Sequence, residues 1–178
     1  MKFYAGIGSR KAPQNILDFL TKIAGLLGQR GYVLRSGGAR GCDTFFERGV
    51  GHFDIPPNSG GLDKRKEIFT SRDAEAWAFD LVPKYLPTDR SPYLFNSWSP
   101  YVKGLLARNM MIILGRDGNS PVDFVVCWTP PGDYQTSAVG GTGYALRLAQ
   151  DRGIPIYNLG YPEQLESFKD FLRNLYQF

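Results

Sequence analysis

The apolar positions of this chain follow two rhythms that alternate along its length. Short, nearly continuous apolar runs occur at Phe3–Ile7, Tyr32–Leu34, Val122–Trp128 and Ile154–Leu159. Runs of this kind, bounded by turn residues, read as strands buried on both faces. Between them the apolar residues recur three and four apart. Ile16, Leu17, Leu20, Ile23, Ala24 and Leu27 share one side of a predicted helix that opens at Pro13 and is ended by Gly28 and Gly31. Thr44–Gly49, Ala74–Tyr85, Tyr101–Leu114, Thr142–Arg152 and Leu165–Tyr176 read as further helices. Pro83 leaves the end of the second of these open, and Gly115 closes the third.

The intervening region is less regular. His52–Leu62, with Pro56, Pro57, Gly60 and Gly61, reads as a surface loop, and Lys66–Thr70 as a candidate strand. Thr88–Pro100 carries prolines and aromatics and reads as an ordered irregular segment or a lid, with Tyr93, Phe95, Trp98 and neighbouring Tyr101 either pinning it to the core or free to stack a base. The strand–helix alternation predicts one α/β domain over residues 1–178 with an irregular insert around 51–100. Its expected architecture is three-layered, an open and mostly parallel sheet of about five strands between helices.

Ligands of such sheets bind beyond the carboxyl ends of the strands, where the strand order reverses. Four segments fall there: Gly6–Arg10, Ser36–Asp43, Trp128–Thr142 and Asn158–Gly160. The second is the most informative, Ser-Gly-Gly-Ala-Arg-Gly-Cys-Asp between a strand and a helix. Glycines at Gly37, Gly38 and Gly41 bring backbone N–H groups close to a ligand, and the helix start adds more of them with a positive dipole end. Arg10 and Arg40 can neutralise a phosphate there, with Gly8, Ser9 and Ser36 alongside. Gly140-Gly141-Thr142-Gly143 repeats the logic, although Thr142 can equally cap its helix. Arg108 and Asn109 interrupt an apolar helix face, either to anchor loops or to enter the cleft. Asp43 and Glu47 stand one helical turn apart and are the candidate acid/base pair, a plain solvated face being the alternative.

Several chemistries are excluded. Gly6-Ile-Gly8 is followed by Lys11 where a dinucleotide fingerprint needs its third glycine, and no acidic residue ends the second strand. There is no P-loop and no nucleophile elbow, and with His52 the single histidine neither a serine triad nor a zinc site is expected. No metal and no cofactor is called for. Cys42 sits where a helix dipole can lower a thiol pKa, but no histidine lies near it in sequence, and Cys127 reads as core. The distant cysteines and the absence of a signal-like N-terminus predict a reducing, cytoplasmic setting. No apolar run approaches the ~20 residues of a membrane span. The net charge is +4, with Lys64–Arg65–Lys66 the one basic cluster, a balance that suits a small anionic ligand better than a polyanion.

Taken in order, Gly8-Ser9-Arg10, Ser36–Asp43, Ala107-Arg108-Asn109 with Met111, and Gly140–Gly143 resemble the SLOG superfamily of Rossmann-like proteins. That superfamily takes in the DNA-processing protein A domain, the LOG phosphoribohydrolases and the YspA/cpYpsA-related proteins, including phage-encoded forms labelled DprA-like, and the chain is most similar to the last. The resemblance spans Tyr4–Leu159 and implies a nucleotide or nucleotide-derived ligand over Gly37, Gly38 and Gly140–Thr142. Tyr144 and Ala145 stand where the phosphoribohydrolases carry a glutamate, and Cys42 where the DNA-processing proteins carry isoleucine.

Three readings follow. The first is a nucleotide-binding protein holding an NAD- or ADP-ribose-like molecule and hydrolysing its N-glycosidic bond, with Asp43 or Glu47 acting on the ribose and Asn158 among the ligand contacts. The alternatives are a single-stranded DNA binder without catalysis, and a nucleotide sensor or sponge without turnover. No membrane partner is expected, and pairing through helices into a homo-oligomer is compatible with each reading.

Overall fold

The computed structural model describes residues 1–50 and 65–177. The loop read over His52–Leu62 and Lys64 of the basic cluster therefore lie outside the described residues. Five strands run parallel in one sheet: β1 (Lys2–Gly8), β2 (Tyr32–Ser36), β3 (Lys66–Ile68), β4 (Phe124–Trp128) and β5 (Ile156–Asn158). Their spatial order is β3-β2-β1-β4-β5, so the order reverses between β1 and β4. The expected α/β fold, three-layered and Rossmann-like, is the fold found.

The middle of the chain supplies the helices of one face, and its two ends supply those of the other. Tyr4, Leu34, Phe124 and Val126 point to one face, where α1 (Gln14–Gln29), α2 (Cys42–Val50) and α7 (Pro162–Tyr176) cover them. Ala5, Ile7, Val125 and Cys127 point to the other, under α3 (Ala76–Leu81), α5 (Pro100–Leu114) and α6 (Thr142–Asp151). A one-short turn, α4 (Leu94–Ser97), lies in the irregular segment before α5. The alternation is the period-two consequence of the pleat, and burial on both sides explains why the strands read as unbroken apolar runs.

Element boundaries differ from expectation where backbone donors are missing. The helix expected over Ala74–Tyr85 is α3 followed by a 3₁₀ turn, Val82–Tyr85, because Pro83 lacks the N–H that an α-turn needs. The last strand is shorter than its apolar run, since Pro155 cannot donate to the ladder and Ile156 opens β5. The segment over 88–100 is tied down rather than a free lid. Thr88 donates to the Gln135 carbonyl (2.7 Å), and Ser137 donates to Asp89 through its backbone N–H (2.8 Å). Phe95 and Trp98 pack edge to face (6.2 Å between ring centres), and Trp98 does the same on Tyr144. Tyr93 and Tyr101 are the exposed aromatics among the described residues.

Candidate functional site

The pairing Gly8 with Trp128 makes β1 and β4 end level, and Ser9 then donates to the Trp128 carbonyl (2.9 Å). Beyond this seam the chain leaves toward α1 on one face and toward α6 on the other, which opens a cleft. β2 stops two residues lower, and the fully buried Ser36 fixes that level by donating from Oγ to the Gly6 carbonyl (2.6 Å). The turn after β2 packs against the turn after β1 at Gly41. Its φ of +85° and a Cβ position only 2.8 Å from Arg10 Cα and Ser9 O leave room for glycine alone.

Asp43, in the first turn of α2, closes the glycine turn from below. Its Oδ2 accepts from the N–H groups of Gly37 (3.1 Å) and Ala39 (3.4 Å). Burial raises its carboxyl to about 6, against the opposing pull of nearby Arg108 and the two backbone donors. Desolvation therefore outweighs a cation and two hydrogen bonds. The neighbouring Cys42 is corrected from a candidate low-pKa thiol to a packed one. Burial, and then the Asp43 charge, push it up to about 12, and Sγ donates to the Ser9 carbonyl (3.3 Å).

Helix α5 forms the opposite wall, with two stripes that differ in chemistry. Tyr101, Leu105 and Arg108 follow the i, i+4, i+7 line, and Val102, Leu106 and Asn109 follow the same line one residue on. The first stripe faces a compartment of about 290 Å³ with Gly37, Gly38, Ala39, Arg40, Thr70, Ser71 and Arg10. The second faces one of about 480 Å³, completed by Ile7, Gly8, Ser9, Arg10, Lys11, Ala39, Asp43, Val139, Gly140, Gly141 and Thr142.

Arg108 and Asn109 turn out to serve both roles expected of them. Arg108 donates from Nη1 to the Gly37 carbonyl and to that of Phe69 (3.2 Å), and from Nε to Asn109 Oδ1 (3.1 Å). Asn109 passes the chain on, donating from Nδ2 to the Gly141 carbonyl (3.1 Å). One pair of side chains thus ties the turns after β2, β3 and β4 together while lining the cleft. A Cβ on Gly37 would stand 2.2 Å from Arg108 Nη1, so this glycine admits the guanidinium.

The turn before α6 is open. Gly140 has φ of +62°, and neither it nor Gly141 would meet any atom with an added Cβ, whereas Gly143 packs tightly on Val139 and Arg147. Gly141 occupies the cap position, so no side chain caps α6 and Thr142 is its first residue. The N–H groups of Gly143 and Tyr144 already bond to the carbonyls of Gly140 (3.1 Å) and Gly141 (3.3 Å), which leaves those of Gly141 and Thr142 for a ligand. Arg10, Lys11, Arg40 and Arg108 line the two compartments against Asp43 as their carboxylate.

Twelve of the residues expected at the site therefore meet there: Gly8, Ser9, Arg10, Gly37, Gly38, Arg40, Asp43, Arg108, Asn109, Gly140, Gly141 and Thr142. Ser36, Gly41, Glu47 and Asn158 lie outside the lining. Glu47 pairs with Lys66 (3.5 Å) behind the glycine turn, where its Oε1 would lie 3.5 Å from a Cβ on Gly38. Asn158 is a fully buried bolt: Nδ2 donates to Thr129 Oγ1 (2.7 Å), and Oδ1 accepts from the N–H groups of Thr129 (3.2 Å) and Gly160 (3.0 Å). Arg147 was invisible in the pattern. Buried on α6, it donates to the carbonyls of Tyr85 (2.6 Å), Tyr134 (2.8 Å) and Thr136 (3.3 Å), and so shapes the loop leading to Gly140.

No family model matches the chain, and no curated protein matches it. Among solved structures it is similar to DNA processing protein A from Helicobacter pylori, described for its single-stranded DNA binding mode. The TM-score is 0.57 at 18% sequence identity, over 98% of this chain and 80% of that one. The likeness is one of fold. Among the described residues no helix is long and apolar enough to cross a membrane.

Proposed function

We propose that this protein binds single-stranded DNA, seating backbone phosphates in the strand-end cleft. The observation that carries this reading is the continuity of the two compartments. Arg10, Ala39, Leu105 and Arg108 line both, so cationic surface runs from Lys11 to Arg40 without a break. A site for one phosphate would need a single seat, whereas here the Arg10 and Arg40 side chains beside the glycine turn and the open start of α6 supply two. A chain of phosphates spanning both seats makes fuller use of them than a lone anion does. The fold shared with a single-stranded DNA-binding protein supports the same reading.

Fluorescence anisotropy of a labelled oligothymidylate across a salt series tests it. For single strands the slope of log affinity against log salt is about −0.7 per phosphate neutralised. Arg40→Ala should flatten the slope by roughly that amount and weaken all sequences alike. Affinity that ignored salt would remove the reading.

Asp43 favours a second reading, a small nucleotide-derived ligand such as ADP-ribose, with cleavage of its N-glycosidic bond. A buried carboxyl held near 6 at the cleft floor is in the range of a general acid or base. Such a ligand at 100 times its dissociation constant would stabilise the fold by roughly 2.7 kcal/mol. Chromatography of NAD and ADP-ribose after incubation would reveal turnover, and a flat melting temperature across both would dismiss this reading.

A further inference from the structure

Resting on the single-stranded DNA reading, we infer that Tyr101 is a base-stacking platform at the mouth of the smaller compartment, selecting strands that carry bases over bare polyanions. The chain holds 10 tyrosines, 12 phenylalanines and 3 tryptophans. Among the described residues only Tyr93 and Tyr101 stand well exposed, at 77% and 66%. Tyr93 lines neither compartment. Tyr101 lines the smaller one, beside Arg10, Arg40 and Arg108. An aromatic left in water next to clustered cations forgoes burial worth about 25 cal/mol per Å² of apolar area, so its position favours a partner that covers it.

The partner must present a flat apolar face attached to an anion, and a nucleotide does. Helical spacing places Tyr101 two turns from Arg108 on one stripe of α5, with Leu105 between. The wall opposite is fixed by close approach, since a Cβ on Gly104 would lie 2.8 Å from the Ser71 carbonyl. Thr70 beside it is held by Asp73, which accepts from its N–H (2.6 Å) and its hydroxyl (2.8 Å). A phosphate held by Arg10 and Arg40 in this compartment would leave its base pointing outward along this stripe, onto the ring. Stacking of this kind is tolerant of sequence, since every base has a π-face, and it demands an unpaired base. The site would then prefer single strands to duplexes.

The test compares oligothymidylate with an abasic oligomer of equal length and charge, on the wild type, Tyr101→Ala and Tyr101→Phe. The expected result is wild-type binding tighter to oligothymidylate by about tenfold, the scale of one stacked base. Tyr101→Ala should lose that preference, Tyr101→Phe should keep it, and the salt slope should be the same in all three. Equal wild-type affinity for both polymers overturns the stacking role and leaves phosphate binding standing. Tyr101→Ala that weakens both polymers equally also overturns it, since the ring would then act on the backbone site. Failure of the wild type to bind either polymer removes the DNA reading and this inference with it.

Discussion

Asp43 has an unusual linkage for an aspartate. Its folded-state pKa of about 6 lies above the ordinary 3.8, so the folded chain holds its proton more tightly than the unfolded one. The stabilisation is fully present below the unfolded value and is lost as pH rises through 6, on the order of 3 kcal/mol in all. Denaturant melts of Asp43→Asn against wild type should therefore converge in the acid range and diverge in favour of the variant between pH ~4 and ~6. Parallel curves would show that Arg108 and the backbone donors cancel the effect of burial. The glycines bear different constraints. Gly37→Ala pushes on a side-chain end, Arg108 Nη1, which can shift at about 1–3 kcal/mol. Gly41→Ala meets backbone at Arg10 Cα and Ser9 O in a positive-φ conformation, and both walls of the clash are rigid. Thermal melts should show Gly41→Ala to be the more damaging of the two, with binding weakened in the survivor, Gly37→Ala. Such distinctions escape the sequence, where Ser36, Gly37 and Gly41 look alike as members of one polar motif. Only packing separates the serine that sets the strand level from the glycine that admits a guanidinium.

Helix α5 and the α6 loop show what periodicity can and cannot reveal about an element. A helix over Tyr101–Leu114 was legible from its apolar content, because Ala107, Met110, Met111, Ile112 and Ile113 are buried on and around its back. Its front was only half legible. Arg108 and Asn109 stood out as polar breaks, and Tyr101 as one of four aromatics that could pin the segment or stack a base, but only the cleft sets Tyr101 apart from the other three and brings Leu105 to the lining. Arg147 drew no notice in the sequence, yet it is buried and holds carbonyls from the Val82–Tyr85 turn and the loop after β4. Arg147→Ala should cost about 2–4 kcal/mol, since several acceptors lose their donor at once. A denaturant midpoint shift would register it, together with faster amide exchange over residues 132–139. Arg108→Lys should be almost as harmful to binding as Arg108→Ala. An ammonium at a single point cannot reach Gly37, Phe69 and Asn109 together as the planar fork does. Equal affinity of the lysine variant and wild type would show that charge alone suffices.

At the scale of the whole molecule, the strand–helix alternation made the class of fold readable. In the order β3-β2-β1-β4-β5 the chain returns after β3 to the far side of β1, so α3, α5 and α6 cover the face opposite α1 and α2. The seam between β1 and β4 marks the place where glycine-rich strand ends converge, which is why twelve expected residues meet there. Asn158 failed to join them because β5 lies at the sheet's edge, a full strand away from the seam, where its amide is consumed by Thr129 and Gly160. Glu47 failed because one helical turn beyond Asp43 sets it behind Gly38, where it pairs with Lys66 and does not line the compartment. The bridge built by Arg108 and Asn109 has a kinetic consequence. Its hydrogen bonds close chain loops of 71, 39 and 32 residues, reaching Gly37, Phe69 and Gly141. Loop entropy is spent before such contacts reward it, so these closures belong late in folding. During refolding the ability to bind should appear with the final cooperative step, behind the first gain of helix signal. The cleft would then serve as the chain's own indicator of a completed fold.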